Sequence, residues 1–195
     1  MNRKSSLRRM IGTALLMALV VVLQLISGMI PPVGGFTISL VLIPIVIGAA
    51  LYGPKTGALL GAVFSAVVII GFVSGTDAGG AMVFQANPLL CILVVLVKGT
   101  LAGFLSGLTY SLLKERCGKI SMLAAAVICP LVNTGVFILC MVAFYADVLA
   151  AWAGGSTIPG FILSGLILCN FVPELIINVL FSAAGDRIVS FLRKK

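Results

Sequence analysis

Residues 89–116 read LLCILVVLVKGTLAGFLSGLTYSLLKER. A membrane-spanning helix needs about 20 consecutive, mostly apolar residues, and this stretch supplies them between residues 89 and 113. It closes on Lys114 and Arg116, and basic residues beside a span concentrate on the cytoplasmic side. The stretch therefore predicts a helix that crosses the bilayer and ends in the cytoplasm, with Lys98 inside it.

Five other stretches meet the same requirement. Together with residues 89–113, they predict spans over 10–29, 36–52, 56–73, 120–145 and 160–184, the last with room to extend to residue 192. A polar, glycine-rich stretch, GTDAGGAMVFQANP at 75–88, predicts an outer loop between the third and fourth spans. No soluble domain or long linker remains. We predict a single transmembrane domain over residues 1–195, an all-α bundle of six membrane-spanning helices.

The basic residues predict the orientation of this bundle. With the N-terminus inside, twelve of the thirteen Lys and Arg residues fall into four cytoplasmic clusters. These clusters are Arg3, Lys4, Arg8 and Arg9; Lys55; Lys114, Arg116 and Lys119; and Arg187, Arg193, Lys194 and Lys195. The outer loops carry only the acidic residues Asp77 and Asp147. Both ends are therefore predicted to be cytoplasmic. The first apolar stretch is too long for a signal peptide and lacks a small-residue cleavage site, so we expect it to be retained.

The composition narrows the possible functions. The chain is 61% hydrophobic and 9% charged, whereas soluble domains carry about 25% charged residues, so the lipid bilayer is its main surrounding. The net charge of +8 lies in the cytoplasmic clusters, which argues against nucleic acid as a partner. With no histidine, five scattered cysteines and no nucleotide-binding or hydrolase motif, we predict no metal, no cofactor and no enzymatic activity. Transport by such a chain needs partners or an ion gradient.

Lys98 is the one basic residue outside the cytoplasmic clusters. It lies about ten residues into its span from the outer side, which is roughly 15 Å deep at 1.5 Å per residue. A charge at that depth is expensive unless it is paired or hydrated, which marks a candidate functional site. The alternative is a structural ion pair, with Glu174 in the sixth span as the natural partner.

Polar residues in the fifth and sixth spans lie at a similar depth. Asn170, Glu174 and Asn178 are spaced i, i+4, i+8 and share one helix face, and Pro173 is expected to kink the helix there. Asn178 lies close to the cytoplasmic end. Asn133 is in the middle of the fifth span, where its amide requires a neighbouring helix or a ligand. We predict that Lys98, Asn133, Asn170 and Glu174 meet in a substrate-binding cavity open to the outside.

The outer loops are candidates for covering this cavity. Glycines there, including Gly35, allow the backbone to fold over a ligand. Asp77, Gln85 and Asn87 offer polar contacts, and Trp152 offers a stacking surface, with Tyr145 as a further aromatic candidate. We include Gly35, Asp77, Gln85, Asn87 and Trp152 in the predicted substrate-binding set.

Small residues mark two helix-packing faces. Ala14 and Ala18 are four residues apart in the first span, a spacing that lets another helix approach closely. Gly99, Gly103 and Gly107 form a second stripe in the fourth span, which we expect to pack within the subunit.

Taken together, these stretches resemble the substrate-binding (S) components of energy-coupling factor (ECF) transporters. The resemblance covers nearly the whole chain and rests on the six spans and on five short stretches. These stretches are ALLMA at 14–18, FTISL at 36–40, YGPKTGALLG at 52–61, KGTLAG at 98–103 and NFVPE at 170–174.

The resemblance implies a function and a set of partners. An S component of a prokaryotic cell membrane captures a vitamin from outside and docks through its first helix, here at Ala14 and Ala18, on a transmembrane T component that carries two cytoplasmic ATPases. The stretch around Lys98 is most similar to pantothenate-type members. A buried lysine favours a vitamin with a carboxylate over a neutral one, and the small number of Trp and Tyr residues argues against a ligand with a large flat ring. The alternatives are a self-sufficient secondary transporter with Lys98 and Glu174 as an ion relay, and a structural membrane protein without a ligand.

Overall fold

The structure, a computed structural model, describes residues 3–29 and 39–193. All of the regular elements in these two ranges are helical. They are α1 (Arg3–Met29), α2 (Leu42–Tyr52), α3 (Pro54–Ser74), α4 (Ala78–Ala86), α5 (Pro88–Cys117), α6 (Lys119–Phe144), α7 (Ala146–Ala153), α8 (Ile158–Phe161), a π-helical segment (Ile162–Phe171) and α9 (Val172–Arg193).

Five of these helical stretches are long and apolar enough to cross a membrane. They are Ser6–Met29, Pro54–Ser74, Pro88–Cys117, Ile120–Phe144 and Ile158–Leu192, the last formed by α8, the π segment and α9 together. The shorter apolar helix α2 supplies the remaining predicted span. The predicted all-α membrane bundle is confirmed.

Helix α2 differs from its predicted extent. The hydropathy pattern predicted a span over 36–52, but the helix has only 11 residues, about 16 Å at 1.5 Å per residue, or roughly half of the hydrocarbon core. Ser39 and Leu40 precede it without helical hydrogen bonds of their own. Side chains bind their N–H groups instead: Glu174 Oε1 accepts from Ser39 at 3.0 Å and Ser27 Oγ from Leu40 at 3.5 Å. These contacts let non-helical backbone lie inside the bundle.

The outer connections also contain helices that the sequence pattern did not predict. Residues 75–88 were expected to form a loop, yet Ala78–Ala86 is helical. Asp77 caps this helix, because its Oδ1 accepts the Gly80 N–H at 2.9 Å. Glycine at position 80 leaves room for the ring of Phe72, which a Cβ there would overlap.

Helices α3 and α5 form the tightest pair in the bundle. Gly57 and Gly61 of α3 face Gly103 and Gly99 of α5, and a Cβ on Gly57 or Gly61 would overlap the facing carbonyl oxygen. Ser65 Oγ also donates to the Val95 carbonyl at 2.7 Å. The predicted packing of the glycine stripe within the subunit is confirmed. Because Lys98 directly precedes Gly99, this contact sets where the lysine lies.

Helix α1 is less buried than the neighbouring long helix α3. Its contacts in the described chain are with α2 and α3. Of an apolar 18-residue stretch of α1, 17% is buried, against 44% of the corresponding stretch of α3. Most of its surface therefore faces lipid or a partner.

Candidate functional site

A cavity of about 80 Å³ lies among the helices of the predicted outer half of the bundle. Its polar lining comes from four helices (α1, α5, α6 and α9), from the π segment, and from the residues that directly precede α2 and α4. The polar residues are Gln24, Ser39, Asp77, Lys98, Asn133, Thr134, Asn170 and Glu174. Its aromatic lining consists of Phe64, Phe72, Phe137 and Trp152. The four residues predicted to converge from three spans, Lys98, Asn133, Asn170 and Glu174, therefore surround one space.

Lys98 reaches this cavity from α5 and is partly buried. Its Nζ lies 4.8 Å from the centroid of the Phe137 ring, on α6. An aromatic face attracts a cation through its quadrupole, but it leaves the three N–H donors of an ammonium group without an acceptor. The lysine is thus held in position with its hydrogen-bonding capacity available to the cavity.

Glu174 does not neutralise Lys98 by a direct hydrogen bond. Its Oε1 accepts the Ser39 N–H at 3.0 Å, and its buried Oε2 has no hydrogen-bond partner. The structural ion pair considered from the sequence is therefore not formed in this arrangement of the described residues. One oxygen of Glu174 anchors the backbone that leads into α2, and the other faces the site.

Three buried acceptors around the cavity lack hydrogen-bond partners within residues 3–29 and 39–193. They are Asn133 Oδ1, Asn170 Oδ1 and Glu174 Oε2. Leaving a buried acceptor unpaired costs about 1–3 kcal/mol, and such groups in native proteins call for an explanation. A ligand that carries N–H or O–H donors would satisfy them.

The π-helical segment places Asn170 beside Glu174. The sequence predicted a kink at Pro173, and just before that residue the structure has ten residues of π-helix that end at Phe171. Proline has no N–H to donate, and in the i→i+5 register the carbonyls before it face donors one residue further along. Asn178 lies in another small cavity, beside Met122 and Ser182, and does not line the cavity that contains Lys98.

Short helices cover the outer side of the cavity. Asp77, at the start of α4, and Trp152, on α7, both line it. The indole of Trp152 packs against Phe161 with ring centroids 6.3 Å apart. Two of the predicted cover residues therefore reach the cavity.

Other predicted cover residues have different surroundings. Gln85 and Asn87 are exposed and do not line the cavity, and the Asn87 side chain caps α5 by accepting the Leu90 N–H at 3.1 Å. Tyr145 donates to the Asn87 carbonyl at 3.0 Å and does not line the cavity either. Gly35 lies outside the described residues. Contact of any of these residues with a ligand stays a prediction.

Several lining residues escaped the sequence analysis. Gln24 is an amide within an apolar span and carried a readable signal of the kind that singled out Asn133. Phe64, Phe72 and Phe137 carried none, because buried and lipid-facing phenylalanines look alike in a sequence. The cavity is therefore richer in aromatic side chains than the composition suggested.

The cavity is small for a ligand site. Small-molecule pockets usually measure about 300–1,000 Å³, so a ligand of that class would require the residues that line this cavity to move apart. The groups that line the cavity are one lysine, two carboxylic acids (Asp77 and Glu174), amides and aromatic rings, which suit recognition of a polar organic molecule.

The predicted partner face lies on α1, away from the cavity. Ala14 and Ala18 are both exposed, and α1 leaves this face uncovered in the isolated chain. Its contact with another protein stays a prediction.

Comparison with known proteins identifies one family. The model of the family described as "ECF transporter, substrate-specific component" matches residues 8–184, most of the chain. No curated protein and no solved structure matches the chain at a significant level.

Proposed function

The chain belongs to the family of substrate-specific components of ECF transporters, which makes it a substrate-binding membrane subunit, and on this premise we propose that it captures a carboxylated vitamin such as pantothenate from outside a prokaryotic cell. The observation that carries the proposal is Lys98, a cation at the cavity whose hydrogen-bond donors are taken up by no carboxylate of residues 3–29 and 39–193. A carboxylate of the ligand would pair with it in a site of low dielectric constant, where charge-assisted hydrogen bonds are strong.

The unpaired acceptors define the rest of the ligand. Asn133, Asn170 and Glu174 require donors, so the ligand should carry N–H or O–H groups beside its carboxylate. Pantothenate has a carboxylate at one end, a secondary amide in the middle and two hydroxyl groups at the other end. Its methyl groups would pack against the phenylalanine side chains of the lining. The aromatic lining also accommodates a flat ring, so folate and other anionic vitamins belong in the same test.

A thermal-shift screen of the detergent-purified chain tests this proposal. The panel contains pantothenate, folate, biotin, riboflavin and thiamine, together with pantothenol, in which an alcohol replaces the carboxylate. We expect a carboxylated member to raise the melting temperature and pantothenol to do so much less. Stabilisation by a neutral or cationic vitamin alone would contradict the carboxylate, and no stabilisation by any member would count against capture of a vitamin.

The energy for uptake is proposed to come from partners. Family membership favours a T component and two ATPases over the self-sufficient secondary transport considered from the sequence. The exposed stripe of Ala14 and Ala18 supports α1 as the docking helix, because small residues let two helices approach closely within lipid.

Ala14→Arg is expected to prevent assembly with the T component and to leave ligand binding unchanged. The long charged side chain separates the two helices, while the cavity lies on other faces of the bundle. Co-purification of tagged T component with the variant measures assembly, and a thermal shift with the ligand measures binding. Ala18→Arg should behave in the same way.

Ala184→Arg is the matched control for this interface. Ala184 is an exposed alanine of α9 in the cytoplasmic half of the bundle, so it reports the effect of an added arginine alone. Normal co-purification of the Ala14 and Ala18 variants would show that another face of the subunit binds the T component.

Asn133→Leu is expected to lower the affinity for the ligand about tenfold or more and to raise the melting temperature of the ligand-free protein by a few degrees. The substitution removes a buried acceptor that has no partner among the described residues, and that acceptor costs about 1–3 kcal/mol. A purely structural asparagine would lose stability instead. Isothermal titration calorimetry and thermal unfolding give the two readouts.

Asn178→Leu serves as the control for the expected loss of ligand affinity in Asn133→Leu. Its Oδ1 is also buried without a partner among the described residues, but it lies in the separate cavity. We expect its ligand affinity to equal that of the wild type. Equal loss of affinity in both variants would indicate a general disturbance of the bundle.

A further inference from the structure

The substrate cavity has one polar lining residue on α1, to which the proposed function assigns no role. Gln24 lies near the C-terminal end of this helix, the predicted outer end, and its half-buried side chain lines the cavity. The residues on either side of it in the sequence are Leu23 and Leu25. An amide within an apolar span is costly unless its polar groups find partners, so Gln24 needs a donor for its carbonyl oxygen and acceptors for its amino group.

Ser39 is the partner of the Gln24 carbonyl oxygen. Its hydroxyl donates to Gln24 Oε1 at 3.4 Å, which is long for a hydrogen bond between oxygens. The Ser39 N–H donates to Glu174 Oε1 at 3.0 Å. Ser39 thus joins a side chain of α1 to a side chain of α9, two helices that do not contact each other within the described ranges. We call Gln24, Ser39 and Glu174 the polar bridge.

The polar bridge leaves a donor group and an acceptor for a ligand. Gln24 Nε2 carries two N–H donors, and it forms no hydrogen bond within residues 3–29 and 39–193. Glu174 is only 3% exposed, and its Oε2 is buried without a partner among the same residues. Both side chains line one cavity, so a single ligand group can contact both.

A hydroxyl group matches this combination of donor and acceptor. Its oxygen donates one hydrogen bond and accepts others, so it can donate to Glu174 Oε2 while it accepts from Gln24 Nε2. An ionised carboxylate has only acceptors and an ammonium group only donors, and each would satisfy one half of the pair. The polar bridge therefore favours a neutral group that both donates and accepts.

Lys98 and Gln24 come to the cavity from separate parts of the bundle. Lys98 is on α5 and lies against Phe137 of α6. Helix α1 contacts α2 and α3, and within the described part of the chain it contacts neither α5 nor α6. A ligand whose carboxylate pairs with Lys98 therefore has its other end available to the polar bridge.

We propose that Gln24 is a substrate-binding residue, which together with Glu174 binds a hydroxyl group at the end of the ligand opposite its carboxylate. Ser39 is a positioning residue in this arrangement, because its hydroxyl holds the Gln24 amide and its N–H holds the Glu174 carboxyl group. The inference rests on the proposed function, capture of a carboxylated vitamin, and adds the group that is recognised at the other end. The hydroxyl groups of pantothenate occupy that position.

Isothermal titration calorimetry with pantothenate and with its dideoxy analogue, in which hydrogen replaces both hydroxyl groups, tests this site. We expect the wild type to bind pantothenate more tightly than the analogue. Gln24→Met keeps an unbranched side chain of similar length and removes its donors. It should lower the affinity for pantothenate about 2- to 13-fold, the range for one neutral hydrogen bond, and leave the affinity for the analogue unchanged. A purely structural glutamine would change both affinities alike.

Thr13→Met is the control variant. Thr13 is a polar residue of the same helix that does not line the cavity, so this variant should bind both compounds as the wild type does. Unchanged affinity of Gln24→Met for pantothenate, or equal binding of the two compounds by the wild type, would overturn the role of Gln24 and leave capture of a carboxylated vitamin standing. Failure of pantothenate to bind the wild type would also overturn it, and the vitamin screen then shows whether another carboxylated vitamin is captured.

Discussion

Lys98→Ala is expected to weaken binding of a carboxylated ligand by about 2–3 kcal/mol, or roughly 30- to 150-fold. The substitution removes the cation at the substrate cavity that Glu174 leaves unpaired, together with its contact to Phe137. The ligand carboxylate would then be desolvated without a charged donor. Because no hydrogen bond joins the Lys98 side chain to another helix within the described part of the chain, we expect the ligand-free protein to fold normally.

Isothermal titration calorimetry with the ligand found in the vitamin screen measures this loss. Lys55→Ala removes the same side chain from the exposed start of α3, on the predicted cytoplasmic side, and should leave affinity unchanged. A neutral analogue of the ligand, with an alcohol or amide in place of the carboxylate, should bind the wild type and Lys98→Ala almost equally. Unchanged affinity of Lys98→Ala for the carboxylated ligand would remove Lys98 from the site.

Gly61→Ala is expected to lower the melting temperature by about 2–12 °C, since overpacking typically costs about 1–3 kcal/mol and each kcal/mol corresponds to about 2–4 °C for a chain of this size. A Cβ at this position overlaps the Gly99 carbonyl oxygen, which is backbone and cannot rotate away. Helices α3 and α5 must therefore move apart. Because Lys98 directly precedes Gly99, the same movement should weaken ligand binding.

Gly135→Ala is the matched control, because a Cβ there meets nothing within 4 Å. Alanine is favoured over glycine inside a helix by about 1 kcal/mol, so this variant should be as stable as the wild type or slightly more stable. The expected changes in stability of the two variants have opposite signs, although both replace glycine by alanine. Similar melting temperatures for the two variants would contradict the close contact between α3 and α5.

The sequence predicted the long helices better than the short ones. An apolar stretch of 20 residues, such as those in α5 and α6, is stable in lipid as a helix, because a helix satisfies the backbone N–H and C=O groups within the same segment. Helices α4 and α7 are too short for that argument, and the two glycines in α4 predicted a loop. Capping by Asp77 and packing of Phe72 against Gly80 decided otherwise.

The sequence analysis predicted the charged residues of the candidate site and most of its amides, but it missed Gln24 and the phenylalanine lining. A lysine or asparagine inside a span is rare and needs a partner, so Lys98, Asn133 and Glu174 stood out from the sequence alone. Asn87 stood out equally as a polar residue, yet its side chain caps α5. Depth and polarity do not tell whether a polar group faces a cavity or satisfies the nearest helix end.

The sequence by itself determined that this chain is a helical membrane protein with a few costly polar groups inside its spans, because the bilayer penalises unpaired polarity wherever it occurs. Only the tertiary structure decided how those groups are paired. The short α2 leaves the Ser39 N–H in need of an acceptor, so Glu174 binds that backbone instead of Lys98. Pairing depends on distances between helices, and those are set by packing such as the glycine contact between α3 and α5, which hydropathy does not record.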